Sequence, residues 1–212
     1  MADEIGLFEA MYSCRAMRRI KPDPVPEELL IKLIDAANQA PSGSNMQSAR
    51  FLVVRDRGQK EKLAELNMKV FKAYTAPDAN RPASLPHQSE AARARMLEAV
   101  RWQADHFAEI PAHIIACLEF GAPPNNSFAA GAGGGGSIWP AVQNLLLAAR
   151  GLGLAATPTT FAISDRAAAQ AVLGLPETIA PFCLIPVGYP LGKFGPVTRK
   201  PVAEIMRWDR WS

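Results

Sequence analysis

A chain of 212 residues with 49% apolar and 20% charged side chains is an ordinary globular protein with enough length for one sizeable core, which excludes disordered and fibrous classes. A net charge of +3 gives the surface as a whole no strong claim on nucleic acid, so a basic cluster would have to make that case locally. No apolar run approaches the roughly 20 residues of a membrane span. Asp3, Glu4 and Glu9 interrupt the N-terminus before any signal-like segment, and the three scattered cysteines form no C-x-x-C pair, so a reducing, cytoplasmic setting is expected.

In chain order, Leu7, Phe8 and Met11 have helical spacing and lead into the basic stretch Arg15, Arg18, Arg19 and Lys21. Pro22, Pro24 and Pro26 then force an extended crossing. A helix restarts near Pro26, with Glu27 and Glu28 in its first turn and an apolar stripe of Leu29, Leu30, Leu33, Ile34 and Ala37, and it ends before Pro41. FLVVR from Phe51 reads as a buried strand. A second amphipathic helix runs through Leu63, Leu66, Val70 and Phe71, and a Pro-rich loop over 75–89 precedes a helix near 90–108. HIIACLEF from His113 is the next strand. The helix over 138–150 is apolar on almost every side, which calls for burial all round, at the centre of the fold or across a subunit interface. A short helix stops at Gly174, PFCLIPVGYP supplies a further strand, and the tail from Gly192 carries Trp208 and Trp211, aromatics expected to dock on something.

The basic stretch is either a solvated arm or an anion site. TRKP, with Arg199 and Lys200, could join it at a phosphate if the tail folds back. Pro41, Ser42, Gly43, Ser44, Asn45 and Gln47 form either a capped turn or a set of hydroxyls and amides suited to a heteroaromatic ring. TPTTF, Thr157 to Phe161, is a threonine-rich strand or a pocket lining. Gly131, Gly133 and Gly136 satisfy G-x-G-x-x-G, but no strand precedes them and no acidic residue follows at the ribose-binding distance, so a helix-opening loop is the better reading. His87, His106 and His113 lack metal-ligand spacing and are expected on the surface or in loops. No metal site is expected. Cys14 is the one thiol of interest, since neighbouring arginines favour its thiolate, while Cys117 and Cys183 read as buried small residues.

Taken in order, CRAMRRIKPDPVP, APSGSNMQS followed by RFLVV, SIWPAVQNLLLAARGLGL, TPTTF, IPVGYP and TRKPVAEI resemble the nitroreductase family of FMN-dependent enzymes over nearly the whole chain. The resemblance implies a single α+β domain over 1–212, with a central mainly antiparallel sheet flanked by helices. It further implies an intertwined homodimer whose C-terminal tail lies on the partner subunit, and a cap at about 75–108 over the flavin. Carried over to this chain, the cofactor-binding positions are Arg15, Ala16, Arg18, Arg19, Pro41, Ser42, Asn45, Gln47, Thr159, Thr160 and Arg199. Arg18 would tune flavin N1/O2, the backbone N–H groups of Thr159 and Thr160 would face N5 and O4, and Arg199 would complete the phosphate site. The loop from Pro41 would reach the flavin from the other subunit. Many members read Arg-Arg-Ser where this chain has Cys14-Arg15-Ala16, so one arginine and one hydroxyl are missing, with Arg19 the nearest replacement. Nor does Pro-Trp follow Gln47.

The activity this implies is transfer of electrons from NAD(P)H through FMN to a nitroaromatic, quinone or activated alkene by a ping-pong cycle. No protein nucleophile is needed, because the cofactor carries the chemistry. The alternatives are a flavin-sequestering protein with little turnover, or a dehalogenase or dehydrogenase on the same scaffold. Neither nucleic acid nor membrane is an expected partner.

Overall fold

Strands that are apolar at successive positions draw helices onto both of their faces. In the computed structural model, which describes residues 5–77, 79, 88–124 and 135–211, the elements run α1 (Leu7–Ser13), α2 (Glu27–Asn38), β1 (Ala49–Val54), α3 (Arg57–Thr75), α4 (Glu90–Asp105), β2 (Ala112–Glu119), α5 (Trp139–Gly151), β3 (Ala155–Ala156), α6 (Arg166–Leu173), β4 (Ile179–Gly188) and α7 (Val202–Ile205). Side chains cap three of the helices at their first turn. Asp56 accepts from the Gln59 N–H (2.8 Å), Ser89 from Ala92 (3.2 Å) and Asp165 from Ala168 (3.1 Å). At the end of α5 the Leu154 N–H reaches back to the Ala149 carbonyl (2.8 Å) around Gly153, whose φ of +72° only glycine adopts freely.

The four strands form one antiparallel sheet in the order β1-β2-β4-β3. Along β2 the side chains alternate between two cores. Ile114, Ala116 and Leu118 pack with Leu30 and Leu33 of α2 and Val142 and Leu145 of α5. Ile115 and Cys117 face the other way, toward Leu63 of α3, Phe107, Ile163 and Ala169 of α6. The sheet is thus sandwiched, and its central strands are buried on both faces. This is the expected α+β architecture.

Several sequence expectations are corrected. His113 is neither exposed nor in a loop: it points out of β2 and is fully buried, donating Nε2–H to the Phe107 carbonyl (3.0 Å) and stacking on the Phe107 ring. A side chain with an apolar ring body can sit in a core when its polar edge finds an acceptor. Helix α5 is not buried all round by its own chain, which corrects the first of its two alternatives, the centre of the fold, and leaves the subunit interface. Ile138, Ala141, Val142, Leu145 and Ala149 are covered, but Leu146 and Leu147 are half-buried and Trp139 is 43% exposed. β1 begins two residues before Phe51, and α4 ends at Asp105, followed by a separate turn at Phe107–Glu109. Gly131, Gly133, His87 and most of the 75–89 loop lie outside the described residues. Among the described residues no helix is long and apolar enough to cross a membrane, and no group of three or more His, Cys, Asp or Glu converges on a possible metal.

The tail does fold back. The Lys21 N–H donates to Tyr189 O (2.8 Å), Leu191 N–H to Arg19 O (3.0 Å) and Val197 N–H to Tyr12 O (2.8 Å), so residues 189–197 run antiparallel to residues 12–21. Beyond this point none of the described residues covers it: Trp208 is 78% and Trp211 82% exposed, and Val202, Ile205 and Met206 are exposed as well.

Two consequences are measurable. A Cβ on Gly188 would run into Ile20 and the Pro111 ring, so Gly188→Ala should cost about 1–3 kcal/mol in urea unfolding by overpacking. Burial pulls the His113 pKa down to about 3 from the usual 6.5, so the unfolded chain binds a proton that the folded one refuses between those values. Stability should therefore hold above pH 6.5 and fall by up to about 1.4 kcal/mol per pH unit toward pH 3 on this account, and His113→Phe should flatten that slope.

Candidate functional site

Past β3 the chain makes one more contact with the sheet. Thr159 and Leu184 exchange N–H···O bonds of 2.8 and 2.9 Å, which pins the TPTTF segment against β4 just before the Phe161–Ile163 turn. A cavity of about 340 Å³ opens there, at the small end of the range for ligand pockets. Pro158, Thr159, Thr160 and Phe161 form one wall with Cys183 behind them, Arg18 enters from the N-terminal stretch, and Trp139 stands at the start of α5. α3 contributes Asn67 and Tyr74, and α4 contributes Met96, Val100 and Gln103.

Arg18 is the cation of this cavity. Burial pulls its guanidinium below the ordinary arginine range, with the nearby Tyr74 acting in the opposite direction. Arg18 has no carboxylate partner among the described residues. A desolvated cation without a counter-charge favours a ligand that carries or acquires negative charge beside it.

The structure distributes the residues singled out from the sequence over three places. Arg18, Thr159 and Thr160 share the cavity. Of the two N–H groups expected to face a ring, that of Thr159 is already spent on Leu184, so this part of the expectation is corrected; the Thr160 N–H makes no hydrogen bond among the described residues. Arg15 and Ala16 are exposed on the stretch that the tail runs beside: a Cβ built on Gly195 would stand 3.2 Å from an Arg15 guanidinium nitrogen, and Arg199 is near enough to act on the Cys14 thiol. Arg19 turns to α4 and pairs with Glu98 (3.1 Å).

Pro41, Ser42, Asn45 and Gln47 line no part of this cavity within their own chain. Their loop is tied to the segment before α5 by the Gly43 N–H donating to Ser137 Oγ (3.0 Å), and is closed on itself by the Gln47 N–H donating to Ser42 Oγ (3.0 Å). Ser44, Asn45 and Gln47 all hold φ near +50°, a conformation that costs non-glycine residues of order 1–3 kcal/mol each and concentrates at ligand clamps.

Cys14 contradicts its sequence reading. Burial raises its thiol pKa and outweighs the opposing pull of Arg150 and Arg199, while Sγ faces the Leu146 carbonyl at 3.7 Å. Cys117 and Cys183 are buried as expected, with thiols pushed up to about 12.

Sequence reasoning missed Asn67, Tyr74, Met96, Val100 and Gln103. One signal was available: Asn67 sits midway between Leu63 and Phe71 in the buried stripe of α3, a polar side chain where the pattern calls for an apolar one.

The model of the family described as "Nitroreductase family" matches residues 12–189. The chain belongs to the nitroreductase family. Among curated proteins it is 32% identical to an NADH dehydrogenase of Thermus thermophilus, over 92% of this chain and 91% of that one. It is 29% identical to an iodotyrosine deiodinase of Thermotoga neapolitana, over 87% and 88% of the two chains. Among solved structures, a putative nitroreductase in complex with FMN from Desulfovibrio desulfuricans superposes with a TM-score of 0.67 at 26% identity, covering 99% of each chain. An iodotyrosine deiodinase bound to FMN and 3-iodo-L-tyrosine gives 0.70 at 25% identity, covering 97% of this chain and all of that one. The nitroreductase-like fold and an oxidoreductase assignment follow from membership in this family.

The burial of Cys14 has a direct readout. Alkylation by iodoacetamide at pH 7–8 should be slower than for an exposed peptide thiol, and Arg199→Met should slow it further by removing one of the two charges that favour the thiolate.

Proposed function

We propose that this protein binds FMN in the cavity of Arg18, Thr159 and Thr160 and works as an NAD(P)H-dependent oxidoreductase. The observation that carries this reading is Arg18, a desolvated cation facing a ring-sized cavity with no carboxylate partner among the described residues. The donor set fits the cofactor. The guanidinium suits the pyrimidine side of a flavin, where negative charge accumulates on reduction, and the unpaired Thr160 N–H suits a ring acceptor. Arg15, which lies against Gly195 of the returning tail, and Arg199, near enough to act on the Cys14 thiol, suit the phosphate.

The chemistry supplied by bound FMN is acceptance of hydride from NAD(P)H and delivery of electrons to a small organic acceptor in a ping-pong cycle. The protein's part is to hold and bias. Arg18 stabilises the charged reduced form over the neutral oxidised one. Phe161, Met96, Val100 and Trp139 keep water from the ring. α4, the described part of the proposed cap, sets the shape of the space that an acceptor meets.

The same reading makes the working form a homodimer with the tail laid on the partner. Leu7, Phe8, Met11 and Tyr12 of α1 are exposed together with the tail's Val202, Ile205, Trp208 and Trp211, more apolar surface than a lone chain gains from showing. The strained loop at 44–47, absent from its own chain's cavity, is then presented to the partner's flavin.

A second reading, reductive dehalogenation on the same scaffold, draws support from the deiodinase of Thermotoga neapolitana aligning along most of the chain. A flavin-sequestering role draws its support from the Cys14 and Ala16 departures.

Anaerobic titration of the purified, FMN-reconstituted protein with NADH and NADPH separates these. Bleaching of the flavin band with turnover of a nitroaromatic or quinone is expected, whereas release of iodide from 3-iodotyrosine under a strong reductant would favour dehalogenation. Persistent colour would favour sequestration, and a chain that stays colourless after reconstitution would sink the flavin reading. Arg18→Gln should lower the midpoint potential of the bound flavin and cut hydride transfer by about 10–100-fold, the loss of one charge-assisted interaction.

A further inference from the structure

Helix α5 carries one charged side chain, Arg150, in its last turn, and the fold buries most of it. A cation there suits the helix dipole, but the dipole asks neither for burial nor for partners outside the helix. Arg150 has both. Its side chain is 14% exposed, and its Nε–H donates to Ser13 Oγ (2.8 Å), which in turn donates to the Glu9 carbonyl (2.6 Å). Nη2 lies 3.6 Å from a Glu9 carboxylate oxygen, and the guanidinium carbon stands 4.4 Å from the centre of the Phe194 ring.

These partners come from two segments far apart in sequence. Ser13 closes α1 and leads into Cys14 and Arg15, while Phe194 and Gly195 lie on the returning tail. Around Arg150 the two segments touch repeatedly. The Val197 N–H donates to Tyr12 O (2.8 Å), and a Cβ on Gly195 would stand 3.2 Å from an Arg15 guanidinium nitrogen. The charges of Arg150 and Arg199 both act on the Cys14 thiol between them and the burial around it. One guanidinium thus spans the seam between the segments that carry Arg15 and Arg199, its edge bonded to one and its face on a ring of the other. The ion pair with Glu9, whose carboxylate is mostly exposed, is worth little by itself. An apolar residue would continue the apolar helix at less cost than a buried cation, so the bridge is what calls for arginine.

We infer that Arg150 is a positioning residue for the cofactor's phosphate: it fixes the spacing of the two segments that bring Arg15 and Arg199 to that group. The inference rests on the FMN reading above and adds to it how a phosphate site made of two distant, exposed segments keeps its shape. A clamp that is formed before the ligand arrives spares the ligand the cost of ordering them.

The test compares FMN with riboflavin, which shares the ring and lacks the phosphate. Affinities are read from the flavin fluorescence released on diluting the full-length protein reconstituted with either one. Arg150→Met removes both the charge and the planar fork, whereas Arg150→Lys keeps the charge and loses the fork. Both should lower FMN affinity about tenfold and leave riboflavin affinity within about twofold of the native value. Phe194→Leu leaves α5 untouched and removes only the ring under the guanidinium. It should lower FMN affinity about fivefold, with riboflavin again unchanged.

Native FMN affinity in Arg150→Lys would overturn the inference, because charge alone would then suffice. Equal losses for FMN and riboflavin in all three variants would also overturn it, since a residue that merely supports the fold cannot tell the two flavins apart. So would a native chain that holds both flavins equally. Each of these results leaves the flavin ring in its proposed cavity. A native chain that binds neither flavin would remove the FMN reading and this one together.

Discussion

The pairing of β4 with β2 is the constraint on which the rest hangs. Both strands are buried on both faces, so neither can slip register without moving apolar side chains out of two cores at once. That rigid pair then positions chemistry beyond its own length. Leu184 holds Thr159 by two hydrogen bonds, Cys183 closes the back of the cavity, and Tyr189 and Pro190, just past the strand, seize Lys21 and Ile20. Arg18 thus owes its place to a strand far from it in sequence.

Gly188 shows how tight this junction is. It ends β4 against Ala155, with Ile20 and Pro111 pressed where a side chain would stand. The close approach lets the basic stretch lie directly along the end of the sheet, and the prolines after it keep that stretch extended. The tail returns alongside it and brings Arg199 near enough to act on the Cys14 thiol. Two basic segments nearly the length of the chain apart become one surface through three backbone hydrogen bonds.

The cavity shows the opposite balance. Its lining is drawn from six parts of the chain, and among the described residues Arg18 has no carboxylate partner and Gln103 Nε2 no hydrogen-bond partner. A core built for stability alone would pair them or replace them with apolar side chains. Arg18, Gln103 and the strained loop at 44–47 are places where local rules are broken, and in a folded protein such places gather at sites of function.

Much of the fold was legible in the sequence. Pro26 with Glu27 and Glu28 marked the start of α2, the Leu30–Leu33–Ala37 stripe gave its buried face, and the predominantly apolar runs HIIACLEF and PFCLIPVGYP read as the strands they form. These are local signals, carried by neighbours a few residues apart, and tertiary packing did not override them. The order of motifs likewise carried the family, which the match over residues 12–189 bears out. Three other features could be decided only by the tertiary structure. His113 looked like any lone histidine until a carbonyl six residues away gave it a buried partner. The direction in which the Cys14 thiol shifts could not be read from the arginines beside it in sequence, because burial, which no neighbour in sequence reports, raises it against the pull of the distant Arg150 and Arg199. That Arg18, Asn67 and Gln103 line one cavity depends on where α3 and α4 lie in the fold, and a helix advertises in sequence which face it buries but not what that face will meet.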